Sequence, residues 1–181
     1  MAVPIGAAAL SPFLAWRGPI YIFAGFAGIF AMALLLIQPL LVAGYLPGFE
    51  ARRGRGAHGV IGGALVLCVV GHVAGLWITS PPDVIDALTF TSPTSFSVWG
   101  VVAMWAVFTT ALVAKGRRRL RLKPHTWRGL HLGLAVVIAL GSTLHALLIE
   151  GAMETITKAA LCALVLVAVA KVVLVFRPRR R

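Results

Sequence analysis

The chain alternates long apolar stretches with short polar ones. Apolar runs lie at Pro19–Leu41, Ala57–Thr79, Phe96–Ala114, Gly129–Ile149 and Thr155–Phe176. Each is close to the roughly 20 residues that carry a helix across about 30 Å of hydrocarbon. A single run of this kind could be a buried helix of a soluble core. Five in succession predict an all-α integral membrane bundle of about five transmembrane helices. The pattern divides the chain into an N-terminal segment at residues 1–15, one membrane domain over residues 16–176 and a basic tail at residues 177–181.

Met1–Ala15 contains Pro4 and Pro12 and no Lys or Arg; the first basic residue is Arg17. A signal peptide opens with a basic region ahead of its apolar stretch. The expectation is therefore a short, uncleaved sixth element at the outer face or the interface. Composition agrees with the membrane reading: 60% of the 181 residues are hydrophobic and 12% are charged, against about 25% charged in soluble domains.

The net charge of +12 suggests a nucleic-acid partner until its distribution is considered. Arg52, Arg53 and Arg55 lie between the first two spans. Lys115, Arg117, Arg118, Arg119, Arg121, Lys123 and Arg128 lie between the third and fourth, and Arg177, Arg179, Arg180 and Arg181 follow the fifth. The alternate connections carry Asp83, Asp86, Glu150 and Glu154, with Lys158 just beyond. This is the positive-inside asymmetry. It predicts a multi-pass protein of the inner (plasma) membrane, with the N-terminus outside, the C-terminus cytoplasmic and lipid as its surroundings. A nucleic-acid partner is not expected, because no soluble element is available to enter a groove.

Trp16, Trp77 and Trp99 fall near outer span ends and Trp127 near an inner one, as in an aromatic belt. Trp105 is mid-span, where it could pack or touch a cofactor. Cys68 and Cys162 are mid-span without metal-ligand spacing and read as small apolar residues. Glycines scattered through the spans permit close helix packing, and those beside histidines could make room for a flat ring.

Four of the five histidines form two pairs: His58 and His72 in the second span, His131 and His145 in the fourth, each pair fourteen residues apart. Fourteen residues is close to four helical turns and a rise of roughly 21 Å, so both members of a pair point the same way. Both spans start on the cytoplasmic side and run parallel. His58 is therefore expected to face His131 near the inner edge, and His72 to face His145 near the outer edge. A haem standing between two helices needs one axial imidazole from each, and two such pairs predict two haems, one above the other. Four unrelated core histidines would not share this spacing and depth. Zinc needs about four ligands at one point, and a proton relay needs acidic partners that the spans lack.

The pattern resembles the ferric-reductase-like transmembrane domain family, which includes ferric reductases, NADPH oxidase cores and the haem-bearing membrane subunit of the periplasmic methionine-sulfoxide reductase. The likeness rests on His58 and His72 in one helix, the basic loop Lys115-Gly-Arg-Arg-Arg-Leu-Arg, then Trp127-Arg-Gly-Leu-His131 and His145, and covers roughly Gly18 to Phe176. It implies two haems b with bis-histidine ligation and electron flow from a cytoplasmic flavin toward the outer face. Members commonly have six spans, and many continue into a flavin- and nicotinamide-binding module. Here five spans are read and the chain ends at Arg181, so the expected donor is a flavin reductase, another flavoprotein or a quinol. The expected acceptor is ferric iron or a periplasmic reductase.

Arg53, Arg55 and Arg128 lie close in sequence to His58 and His131. They are candidates to pair with inner haem propionates through charge-assisted hydrogen bonds, although positive-inside orientation accounts for any one of them equally well. Asp83, Asp86, Glu150 and Glu154 could attract ferric iron or a basic partner, a feature that topology alone also produces. Other readings of the chain are a quinol-linked cytochrome b, which also places two histidines fourteen apart on each of two helices, a non-catalytic membrane anchor that binds no haem, and a transporter. A transporter would show broken helices and intramembrane charges, of which Pro39 and Lys171 are the only hints.

Overall fold

The computed structural model describes residues 2–49, 51–151 and 153–175. Phe176 and the basic tail 177–181 lie outside the described residues. The helices are α1 (Ala2–Ala9), α2 (Pro19–Val42), α3 (Ala51–Thr79), α4 (Pro81–Leu88), α5 (Ser95–Gly116), α6 (Pro124–Leu148) and α7 (Thr155–Val175), with a 3-10 turn at Pro12–Leu14. Among the described residues there is no strand. Five helices, α2, α3, α5, α6 and α7, are long and apolar enough to cross a membrane. The shortest, α7, has 21 residues, a rise of about 31 Å. The protein is an all-α bundle with the build of a multi-pass membrane protein.

Helix starts follow local chemistry. Pro19, Pro81 and Pro124 each open a helix at its first turn, where a missing N–H costs nothing. Pro124 starts α6 five residues earlier than the apolar run that begins at Gly129, and α3 likewise starts at Ala51 instead of Ala57. Arg53, Arg55 and Arg128 are therefore helical residues, not loop residues. The N-terminal segment is a two-turn helix followed by the 3-10 turn, too short to span. It docks on α7 and α2, with Ala8 fully buried in the core. The pattern of the chain gave no sign of α4, whose Ser80–Pro–Pro–Asp83 start places the Ser80 hydroxyl 2.5 Å from the Asp83 carboxylate to which it donates.

α2 packs along α3, α5 along α6, and α7 lies against both α6 and α2. The core is built from Ile29, Met32 and Leu35 of α2, Val107 of α5, Ala139 of α6 and Val165 of α7. α3 and α6 are not packed on each other along their length. They run parallel, because α4 and α5 return the chain between them, and they face each other across a gap. Large apolar side chains such as Val60, Leu67 and Leu164 point outward, as contact with lipid requires. Lipid gives no hydrophobic drive for helices to associate, so close contact rests on small residues. A Cβ built on Gly75 of α3 would meet the Ala24 Cβ of α2 at 2.8 Å. One built on Gly141 of α6 would meet the Trp99 carbonyl oxygen of α5 at 3.0 Å.

Gly75→Leu forces α2 and α3 apart. It is expected to destabilise the bundle by about 1–3 kcal/mol, read as a lower thermal unfolding midpoint in detergent, whereas Leu67→Ala on the lipid-facing surface should leave the midpoint nearly unchanged.

Candidate functional site

The gap between α3 and α6 brings together the four histidines singled out by spacing. The rings of His58 and His131 lie 5.8 Å apart, centroid to centroid, with planes at 73°. Those of His72 and His145 lie 6.3 Å apart with planes at 81°. The first pair is near the end of the bundle that carries the basic loops, and the second is near the end that carries Asp83, Asp86 and Glu150.

At the acidic end each ring is held from behind. Nδ1 of His72 lies 2.7 Å from the Ala24 carbonyl oxygen of α2, and Nδ1 of His145 lies 2.9 Å from the Phe96 carbonyl oxygen of α5. In a helix each of these carbonyls already accepts the N–H four residues on, which belongs to Gly28 and Gly100 respectively. Both positions lack a side chain for a reason visible in the geometry. A Cβ on Gly28 would stand 3.1 Å from His72 Nδ1, and one on Gly100 would stand 2.7 Å from His145 Nδ1. The glycine opens the space through which the imidazole reaches the shared carbonyl. A carbonyl can only accept, so both rings carry the proton on Nδ1. Nε2 is left with its lone pair and, among the described residues, no hydrogen bond.

The basic-end rings are held differently. Nδ1 of His58 meets the side-chain amide of Gln38 from α2. Nδ1 of His131 is buried with no hydrogen-bond partner. The His131 ring instead stacks on Trp127, one turn earlier on α6, at 4.9 Å and 30°. The Arg117 guanidinium lies 5.9 Å from the Trp127 ring. Trp127 is thus a neighbour of the site and not only part of an aromatic belt, and the Trp-x-x-x-His run carried that signal. Trp105 packs on Phe108. Arg53, Arg55 and Arg128 are placed beside the basic-end pair with exposed side chains. Cys68 and Cys162 are free thiols.

His72 and His145 line a cavity of about 560 Å³ that also takes in Gly28, Gly100, Arg17 and Glu150. That volume lies within the range of ligand and cofactor sites. Arg17, which the charge pattern left unassigned, lies over the Tyr21 ring at 4.7 Å and is a cation at the acidic end.

The donor set can be tested against haem on these observations. A metal–imidazole bond is about 2 Å and the ring centroid lies about 1.1 Å behind the nitrogen, so two axial imidazoles on one iron stand about 6.2 Å apart. The His72–His145 separation of 6.3 Å matches that figure, and the His58–His131 separation of 5.8 Å falls a few tenths of an ångström short of it. Metal-bound histidines usually donate the other ring N–H to a carbonyl or similar acceptor, as His72 and His145 do. Among the described residues no three His, Cys, Asp or Glu side chains converge as a metal cluster, so each imidazole pair suits an ion whose remaining ligands come with it. The residues fit a bis-histidine haem.

Compared with models of protein families, with curated proteins and with solved structures, the chain matches none of them.

Gly100→Leu drives a side chain into the His145 ring and displaces it from the Phe96 carbonyl. In a haemin titration followed by absorbance, the purified variant is expected to take up one equivalent fewer than the wild type, while Gly129→Leu, at a position with open space around it, should match the wild type.

Proposed function

We propose that the protein is a di-haem, b-type transmembrane electron-transfer subunit of the ferric-reductase-like kind, passing electrons from a cytoplasmic flavin donor to an acceptor on the outer face. The observation that carries this reading is the pair of imidazole pairs. Two parallel membrane helices present four rings at two depths, one pair at the separation that one iron between two rings requires and the other slightly closer. His58 and His131 would hold the inner group, and His72 and His145 the outer. Bound haem supplies a one-electron ferric/ferrous couple. The chain's own part is to fix the rings, to keep lipid between the cofactors and the bulk phases, and to provide docking surfaces at the two ends.

Charge supports the direction. The stretch from Lys115 to Arg128 offers seven basic side chains, a bias that favours the cytoplasm for that end and would steer an acidic flavoprotein toward it. Arg53, Arg55 and Arg128 are suited to pair with carboxylates of the inner group, and Arg17 with those of the outer. Asp83, Asp86 and Glu150, near the outer mouth, suit a ferric ion or a basic periplasmic reductase as acceptor.

Protein purified from haem-replete cells is expected to contain two b haems per chain in a pyridine haemochrome assay. His72→Ala and His145→Ala should each reduce this to one, and a haem-free wild type would end the reading. Near-perpendicular imidazole planes predict highly anisotropic low-spin ferric signals in paramagnetic resonance, instead of the rhombic signals of parallel planes.

In proteoliposomes NADH alone should not reduce the haems. NADH with a flavin reductase should, at a rate that falls as salt rises. Reduction by quinol only would move the assignment to a quinol-linked cytochrome b.

A further inference from the structure

The two imidazole pairs are not equivalent, and one side chain carries the difference. α2 has two polar side chains, Tyr21 and Gln38. An amide inside a bilayer must find partners in the protein, and the two ends of the Gln38 amide meet α3. One end lies against His58 Nδ1 and 3.2 Å from the His58 carbonyl oxygen, and the other lies 2.8 Å from the Gly62 nitrogen. Gly62 leaves room for it, since a Cβ there would stand 3.1 Å from the amide.

The helical register makes Gln38 distinctive. It lies fourteen residues after Ala24, whose carbonyl holds His72. The residue fourteen after Phe96, whose carbonyl holds His145, is Thr110. The Thr110 hydroxyl donates to Ala106 of its own helix at 2.7 Å, and His131 Nδ1 has no partner. Three of the four rings therefore have something behind Nδ1. Two have a backbone carbonyl, which can only accept. His58 alone has a side chain, which can either donate or accept.

Each orientation of the amide goes with one tautomer of His58. With its nitrogen toward the ring, Gln38 donates to Nδ1 and to the His58 carbonyl and accepts from the Gly62 N–H. The ring proton then sits on Nε2, which blocks ligation. With its oxygen toward the ring, Gln38 accepts from Nδ1–H and Nε2 is free to bind iron, but the oxygen then also faces the His58 carbonyl and the NH2 faces the Gly62 N–H, so the first orientation is the better satisfied one until a metal takes Nε2. We infer that Gln38 is the positioning residue that selects the tautomer of His58 and sets how strongly that ring donates to its iron. This rests on the haem reading above. An acceptor behind Nδ1 makes the imidazole a stronger ligand and favours the ferric state. Taking the acceptor away raises the midpoint potential of that haem, and a stronger acceptor lowers it.

The test is a redox titration of full-length wild type, Gln38→Met and Gln38→Glu, each followed at both haems. Met keeps the length and removes the acceptor. Glu can accept from both His58 Nδ1–H and the Gly62 N–H. The expected result is opposite shifts, upward for Met and downward for Glu, confined to the haem that His58→Ala loses, with the other haem unmoved. Equal potentials in all three proteins would overturn the inference, as would shifts of the same sign, which would mark a packing effect. Should the Met variant fail to assemble, the Glu variant decides by itself: a downward shift at one haem supports the role and no shift removes it. A wild type without haem would overturn the parent reading and this one together, an outcome separate from two haems that ignore residue 38.

Discussion

The distance between α3 and α6 is the constraint on which the rest depends. Apolar side chains are nearly equivalent in energy against lipid and against protein inside a bilayer, so hydrophobicity does not set how close these two helices stand. They are held apart because each has an antiparallel partner behind it. α2 backs α3, α5 backs α6, and α7 ties the two pairs together through α2 and α6. Three of the histidines are anchored to those backing helices through Nδ1: His58 and His72 to α2, and His145 to α5. Ring separation across the gap follows from helix pairing at the rear.

The anchoring device is economical in sequence. It needs a helical carbonyl facing the histidine and a glycine four residues later. The carbonyl keeps its own helical bond and accepts a second from Nδ1, so no backbone group is left unsatisfied where water is absent. Ala24 with Gly28 serves His72, and Phe96 with Gly100 serves His145. Two other buried polar side chains follow the same rule. The Thr143 hydroxyl donates to the Ala139 carbonyl at 2.8 Å, and the buried Lys158 ammonium donates at 2.8 Å to the Ile149 carbonyl at the end of α6, where the helix dipole favours a cation.

The sequence made the five spans and the four histidines legible for one reason: both are periodic. A 14-residue interval repeated on two helices defines face and depth without knowledge of any neighbour. The anchors are not periodic in that sense. Gly28 and Gly100 are two among 19 glycines, and only the approach of a ring from another helix distinguishes them from ordinary packing glycines. Trp127 looked like an interfacial aromatic because sequence position gives its depth and not its neighbour. Gln38 stood beside Pro39 near a span end, where a polar residue usually means that the membrane is ending. The structure extends α2 through Val42 and α3 back to Ala51, which turns that border residue into a contact between helices. The short helix α4 was hidden because two prolines and an Asp signal a turn as readily as a helix start.

The α2–α3 and α5–α6 hairpins carry the same parts in the same order: an accepting carbonyl, a glycine one turn on, a basic connection, then a histidine and a second histidine fourteen residues later. The chain separation from carbonyl to anchored ring is 48 residues in one and 49 in the other. Two hairpins of one design, joined by a return stretch that keeps them in the same direction, necessarily place their histidines at equal depth. This explains why the pairs match at both ends of the bundle without α3 and α6 packing on each other. It also locates the asymmetry. The shared design fixes the rings at the acidic end by backbone, which substitution cannot easily change. At the basic end it leaves Nδ1 of each ring to whatever side chain stands fourteen residues past the accepting carbonyl. Gln38 fills that place in one hairpin, whereas Thr110 in the other turns back to its own helix. The basic end is therefore where sequence can tune the paired histidines of this fold one at a time.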